Sequence, residues 1–152
     1  MQSRFPDINT AFNTHRKQAI IAIDSARWLK ALGSLYWYTV EFGLIEEDGA
    51  LRAYGAGIVS SAGETVFSTT DPDVLRVRMN PERIMRTAYR IDDFQDVYFV
   101  IDDLQQLMTG LVDLDFGPIY TAYRDSEPFA PGQLLDGDTQ VPITISPEDA
   151  TS

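Results

Sequence analysis

A single carboxylate, Glu41, stands inside the run LYWYTVEFGLI, Leu35 to Ile45, which otherwise carries no charge. A charged group among so many apolar side chains restricts the folds open to the chain, because burying it unpaired is costly. Read as a helix, the run gives Glu41 the neighbours Trp37, Tyr38, Leu44 and Ile45 at three and four residues. Two outcomes are open. The carboxylate faces water at a helix edge, as lone acidic residues commonly do, or it meets a partner: a metal, a cation or a set of hydrogen-bond donors. The run's length suits a buried helix better than a strand, although Tyr38, Thr39 and Val40 favour a strand.

The second feature is YGAGIVSS, Tyr54 to Ser61. Gly55 and Gly57 suggest a backbone that passes close to something, and the serine hydroxyls can bind a carboxylate. A tight turn between two strands explains the same residues, and the spacing is not that of a dinucleotide loop.

The rest of the chain reads as α+β, mostly helical. Asn13 or Thr14 caps a helix over 15–32, with Ile21, Trp28 and Leu32 on one stripe and Ala22, Ala26 and Leu29 beside it. Gly33 and Ser34 mark a break or kink. Residues 51–59 read as a strand and a glycine-rich connection, and 62–70 as a turn followed by the strand TVFST. Asn80-Pro81-Glu82 starts a helix running to Ala88 or Tyr89. VYFVI, Val97 to Ile101, is a buried strand. Asp102 or Asp103 opens a helix with Leu104, Leu107, Met108 and Leu111 inward. From Asp125 on, the tail holds four of the eight prolines and six acidic residues but no basic one. That composition reads as a loosely packed segment, giving a body over 1–124 and a tail over 125–152.

Composition removes several classes of function. The net charge of −11 argues against nucleic acid or an anionic membrane as partner. With no cysteine there is neither a disulfide nor a zinc–thiolate site. No apolar stretch has the length of a membrane span, and the N-terminus lacks a signal-peptide core, so the expected compartment is the cytoplasm. The single histidine, His15, is too little for most hydrolytic triads and histidine-rich metal sites.

LYWYTVEFGLI, followed closely by RAYGAGIVSSAGE, resembles the signature region of the pterin-dependent aromatic amino acid hydroxylases. RIMRTAYRIDDFQDVYFVIDDLQQL resembles the later helix, strand and helix of that family, the bacterial phenylalanine hydroxylases most of all. The similarity runs from about Leu32 to Ile119. It implies part of a catalytic domain, its C-terminal portion, with an aromatic amino acid, expected to be phenylalanine, as substrate. It also implies Fe(II) and tetrahydrobiopterin as cofactors. In such sites two histidines and one carboxylate hold a non-haem Fe(II) on one face and leave positions open for oxygen. By resemblance, Glu41 is the carboxylate ligand and Tyr36 lies near the iron and pterin. Trp37, Phe42 and Gly57 match the amino acid pocket, Ser60 matches a serine near the substrate carboxylate, and Tyr89 falls near the site. Core packing, a turn or a helix cap is the structural explanation for each of these last five; the resemblance favours the functional one for Ser60 and Trp37, while core packing explains Tyr89 as well.

The resemblance is incomplete. The family's His-Asp-x-x-x-His motif, whose second histidine lies about 40 residues before the glutamate of the facial triad, does not occur here. His15 stands at the wrong distance and reads as a surface or helix-end residue. The expectation is a truncated phenylalanine 4-monooxygenase, with no complete set of catalytic residues and inactive alone. The alternative is a non-catalytic remnant that binds a ligand or partner. Apolar surface left uncovered beside Trp37, Phe42 and Ile58 is expected to make the chain self-associate.

Overall fold

The structure, a computed structural model, describes residues 25–143. Helix α1 occupies 25–36 and runs without a break through Gly33 and Ser34 into a π-helical turn, Trp37–Glu41. A hairpin follows, β1 (Leu44–Glu47) and β2 (Ala50–Ala53), closed by Asp48 and Gly49 at φ 53° and 78°. Positive φ at both central residues is the turn that matches strand twist. Next come α2 (Ala56–Val59), α3 (Ala62–Thr70), β3 (Leu75–Arg78), α4 (Pro81–Met85), β4 (Val97–Ile101), α5 (Leu104–Val112) and α6 (Phe116–Arg124).

The four strands form one sheet in the order β2-β1-β4-β3, with β4 parallel to both neighbours and β1 antiparallel to β2. Every residue of β4 is buried, as a central strand with parallel partners requires. Its alternation divides the core. Val97 and Phe99 pack with Ala31, Leu35, Tyr38, Ile84, Met85, Ile119 and Tyr123. Tyr98 and Val100 pack with Leu44, Ile58 and Val141. Helices and sheet together bear out the α+β expectation.

Several elements differ from the sequence reading. The run Leu35–Ile45 is helix only as far as Glu41; Leu44 and Ile45 belong to β1. On α1 the inward residues are Ala31, Leu35 and Tyr38, with Trp28 half-buried, while Leu29 and Leu32 face outward. Residues 62–70 form a helix, not a turn and strand. Ser61 caps it by accepting from the Glu64 amide at 3.3 Å. The threonine hydroxyls of Thr69 and Thr70 bond back to carbonyls one turn earlier, at 2.8 and 2.7 Å, which reconciles β-branched residues with a helix. The Asn80 cap forms, but α4 stops at Met85. Asp103 caps α5, yet α5 buries none of its residues, and Leu104 and Met108 are exposed rather than inward. The N-cap at Asn13 or Thr14, the stripe residues Ile21 and Ala22, and His15 lie outside the described residues.

Most of residues 125–143 are exposed, but the segment is anchored at defined points. Its backbone continues the sheet beside β3, with the Arg78 amide on Thr139 O at 2.8 Å and the Val141 amide on Arg76 O at 2.9 Å. Asp138 is the reason it docks there. Its Oδ1 lies 2.9 Å from Arg83 Nε, with 3% of the aspartate side chain and 5% of the arginine side chain exposed. Arg83 also donates to Thr87 Oγ1 and Gln133 O, so the guanidinium is satisfied on several sides. Residues 144–152 lie outside the described residues.

Removing one partner of a buried ion pair leaves the other charge stranded. Asp138→Ala is therefore expected to destabilise the chain by about 3–5 kcal/mol, read by chemical denaturation, and to expose the 129–141 segment to proteolysis. A loss below about 1 kcal/mol would show that the pair does not fasten the tail.

Candidate active site

The site is built where α1 ends. The turn Trp37–Glu41 is closed by the Phe42 amide on Trp37 O at 2.8 Å, an i to i+5 bond that adds one residue to the turn. The ring of Phe42 stacks on Trp37 with centroids 4.7 Å apart and planes 27° apart. On its other contact Trp37 stacks on Tyr89, also at 4.7 Å and 20°. The indole thus sits in a three-ring stack, a geometry that adds to simple area burial. Its Nε1 is buried without a hydrogen-bond partner among the described residues.

Glu41 is half-buried beside this stack. Its Oε1 accepts from the Tyr36 hydroxyl at 3.1 Å. Among the described residues it makes no ion pair, and Oε2 accepts no hydrogen bond. The sequence reading asked for a metal, a cation or several donors; the structure supplies one neutral phenol. That bond, and after it the carboxylate's charge, holds the Tyr36 phenol above its ordinary 10.0. Tyr38, expected beside Glu41, points into the core instead and donates to Ala88 O at 2.6 Å.

The glycine segment closes over the same turn. The amides of Tyr54 and Gly55 bond to Gly43 O at 3.2 and 3.1 Å. A Cβ on Gly55 would lie 2.4 Å from Glu41 O, 2.6 Å from Glu41 C and 2.6 Å from the Gly43 nitrogen. A Cβ on Gly57 would meet the Phe42 ring at 2.7 Å and Glu41 O at 3.0 Å. The close approach expected of these glycines is therefore to the chain's own peptide at Glu41. Ser60 caps α2 and donates to Gly57 O at 2.9 Å. Tyr36, Trp37, Glu41, Phe42, Gly57 and Ser60 thus form one connected cluster. Ile58 does not join an exposed patch with them; it is fully buried under the sheet.

Sequence reasoning missed two groups. Tyr54 lies against Gly43, with its hydroxyl buried and unpartnered among the described residues. Burial pushes that phenol up to about 12. Glu64 is the more deeply buried carboxylate, 6% exposed, accepting from Tyr98 OH at 2.7 Å. Ser61-x-x-Glu64 had the form of a capping box, but the glutamate turns inward to Tyr98.

An iron bound by two histidines and a carboxylate does not fit this chain by itself. Glu41 suits one position, being half-buried and without an ion pair among the described residues. The chain has one histidine in all, and no group of three or more metal-binding side chains occurs among the described residues. No helix among the described residues is long and apolar enough to cross a membrane.

Residues 18–114 match the model of a family described as biopterin-dependent aromatic amino acid hydroxylase. The match begins upstream of Leu32, earlier than the quoted motifs suggest. A phenylalanine-4-hydroxylase of Caulobacter vibrioides is 49% identical over 110 residues, 72% of this chain and 37% of that protein. The phenylalanine-4-hydroxylase of Chromobacterium violaceum is 44% identical over 110 residues, again 72% of this chain and 37% of its own length. An iron- and phenylalanine-bound structure of phenylalanine hydroxylase from Chromobacterium violaceum superposes with a TM-score of 0.71 at 40% identity, over 85% of this chain and 46% of that one. A cobalt-bound structure of it gives 0.72 at 40%, over 80% and 43%. The chain spans little more than a third of the length of these curated relatives.

Two outcomes follow from the geometry. Gly55→Ala is expected to destabilise by about 3 kcal/mol, because only backbone stands in its way, whereas Gly57→Ala loses about 1 kcal/mol as the half-buried Phe42 ring swings aside; equal losses in urea titrations would contradict this. The raised phenols of Tyr54, Tyr38 and Tyr98 set an alkaline limit. A phenol held above its unfolded value favours the folded state below pH 10.0, and that advantage disappears as pH rises toward about 12. Tyrosinate absorbance and loss of near-ultraviolet dichroism should rise together across that window, and Tyr54→Phe should move unfolding to higher pH.

Proposed function

We propose, because the chain belongs to the biopterin-dependent aromatic amino acid hydroxylase family, that it forms one wall of a phenylalanine 4-hydroxylase site and does not hydroxylate alone. In this reading Glu41 is the carboxylate ligand of a ferrous ion. Trp37, Phe42 and Gly57 would line the side of an amino acid pocket, Ser60 would lie toward the substrate's carboxylate, and Tyr36 would lie near the metal and the tetrahydropterin. The observation that carries it is the cluster itself: a half-buried carboxylate without an ion pair among the described residues, fixed from behind by Gly55 and Gly57 and flanked by a ring stack. The names of the relatives support phenylalanine as substrate.

What the chain's own residues do follows from their chemistry. The π turn and the two glycines hold the Glu41 peptide, so its side chain starts from a fixed origin. Tyr36 occupies one carboxylate oxygen and leaves the other for a ligand. The Phe42–Trp37–Tyr89 stack supplies a flat apolar surface of the kind an aromatic ring packs against. Ser60 now donates to Gly57 O, and its hydroxyl must turn from that carbonyl to donate to a substrate carboxylate. No observation favours the non-catalytic alternative over this one.

The test has two parts. The purified chain with Fe(II), tetrahydropterin and phenylalanine should form no tyrosine above a no-protein control; tyrosine formation would overturn the statement that it is inactive alone. A chimera carrying residues 25–143 in place of the matching segment of the Chromobacterium violaceum enzyme should retain iron and hydroxylate phenylalanine. In that chimera Glu41→Gln should lower iron affinity roughly tenfold or more. Unchanged iron content would remove Glu41 from the ligand set.

A further inference from the structure

We propose that the cavity between α1, the end of α4 and α6 is a binding site for a small organic carboxylate with an apolar, ring-sized body and no ammonium group, held through Lys30. The inference does not depend on how Glu41 is read.

The first observation is the cavity's size and chemistry. It holds about 290 Å³, room for a ring with a short side chain and little more. Met85, Tyr89, Ile91, Tyr123 and Pro128 line it with carbon and two phenol rings. Its buried hydroxyls are spent within the chain. Ser34 donates to Thr87 O at 2.9 Å, and Thr87 Oγ1 donates to Arg83 O at 2.6 Å. An occupant therefore gains chiefly by burying apolar surface and finds few hydrogen bonds along the walls.

The second observation is charge. In a chain of net charge −11, each arginine among the described residues is engaged by a carbonyl or a carboxylate. Lys30, which borders the cavity, is the one described cation with neither. Arg86 borders it too, but its guanidinium lies 4.2 Å from the centre of the Phe129 ring and 3.9 Å from Glu82, so it adds positive potential rather than a contact. No aspartate or glutamate lines the cavity. A carboxylate thus finds a partner there and an ammonium finds none. An amino acid would strand its ammonium, where the same acid without its amino group would not. The third observation is Tyr89, which forms one wall and also stacks on Trp37 at 4.7 Å. An occupant packed on Tyr89 bears on the ring stack from its far end.

The 152-residue chain is titrated with 3-phenylpropionate by isothermal calorimetry. One saturable site is expected, with a dissociation constant of about 0.1–1 mM for a ligand of this size. The neutral 3-phenylpropanamide, phenylalanine and 2-phenylethylamine should each bind at least about fivefold more weakly. Lys30→Gln should weaken 3-phenylpropionate by roughly five- to tenfold, and Lys30→Glu should abolish its binding. Arg52→Gln, on the hairpin, should change nothing. Circular dichroism checks that each variant folds, and Lys30→Met replaces Lys30→Gln if that one does not. With Trp28→Phe leaving Trp37 as the only indole, Trp37 emission should titrate with the same midpoint. Absence of a saturable site overturns the proposal. So does equal binding of the four ligands, indifference to the Lys30 variants, or a Trp37 emission that ignores saturating ligand. Binding that survives the Lys30 variants but is lost with Phe42→Ala puts the ligand at the candidate active site; it overturns this proposal and leaves the proposed function standing.

Discussion

The peptide of Glu41 is gripped from two directions, and the rest of the site follows from that grip. The π turn fixes it from the helix side through the bond from Phe42 to Trp37. Gly55 fixes it from the hairpin side, at a separation where no side chain can intervene. Sheet and helix meet at this point: α1 brings the carboxylate, β1 and β2 turn the chain around, and the glycine segment lies back across the junction. The extra residue of the π turn matters because it lets Phe42 fall under Trp37 instead of continuing the helical spiral. Without it, the ring stack and the carboxylate would not share one side of the turn.

How much of this was legible in the sequence depends on whether the deciding forces are local. VYFVI announced a central strand because a strand buried on both faces needs no polar alternation. Asn80 and Asp103 announced helix starts because capping is settled within one turn of chain. Glu41 stood out because its neighbours were apolar. The failures share a cause in tertiary structure. Strand β3 contains Arg76, which reads as solvent-exposed, yet it is 3% exposed because its guanidinium bonds to the carbonyls of Ser68, Asp71 and Val74. The tail reads as disordered from its prolines and acids, yet Asp138 is held by an arginine 55 residues away. No window along the chain contains that pair.

The two faces of α1 explain the remaining misreading. Periodicity assigns one apolar stripe to a helix and treats the opposite side as solvent. When both sides are apolar, the pattern cannot tell which side meets the sheet, and the larger residues Leu29 and Leu32 were the natural choice. Packing decided for Ala31 instead, since a small residue lets α1 approach β4 closely enough for Tyr38 to contact Phe99 at 5.1 Å between rings. The same close approach places Trp37 against Tyr89 and so builds the aromatic surface of the site.

Among the described residues Glu41 meets a neutral hydrogen-bond donor and no charged one. A lysine or arginine beside Glu41 would have satisfied its desolvation more strongly than a phenol, but would have lowered its attraction for a metal cation. Tyr36 donates one hydrogen bond and carries no charge, as any phenol does at neutral pH. The residual cost of half-burying an anion is then borne by the fold, through the ion pairs and buried hydrogen bonds that hold β4, α4 and the tail together. The anion thus keeps one oxygen without a hydrogen bond among the described residues, while the stability of the fold is supplied elsewhere.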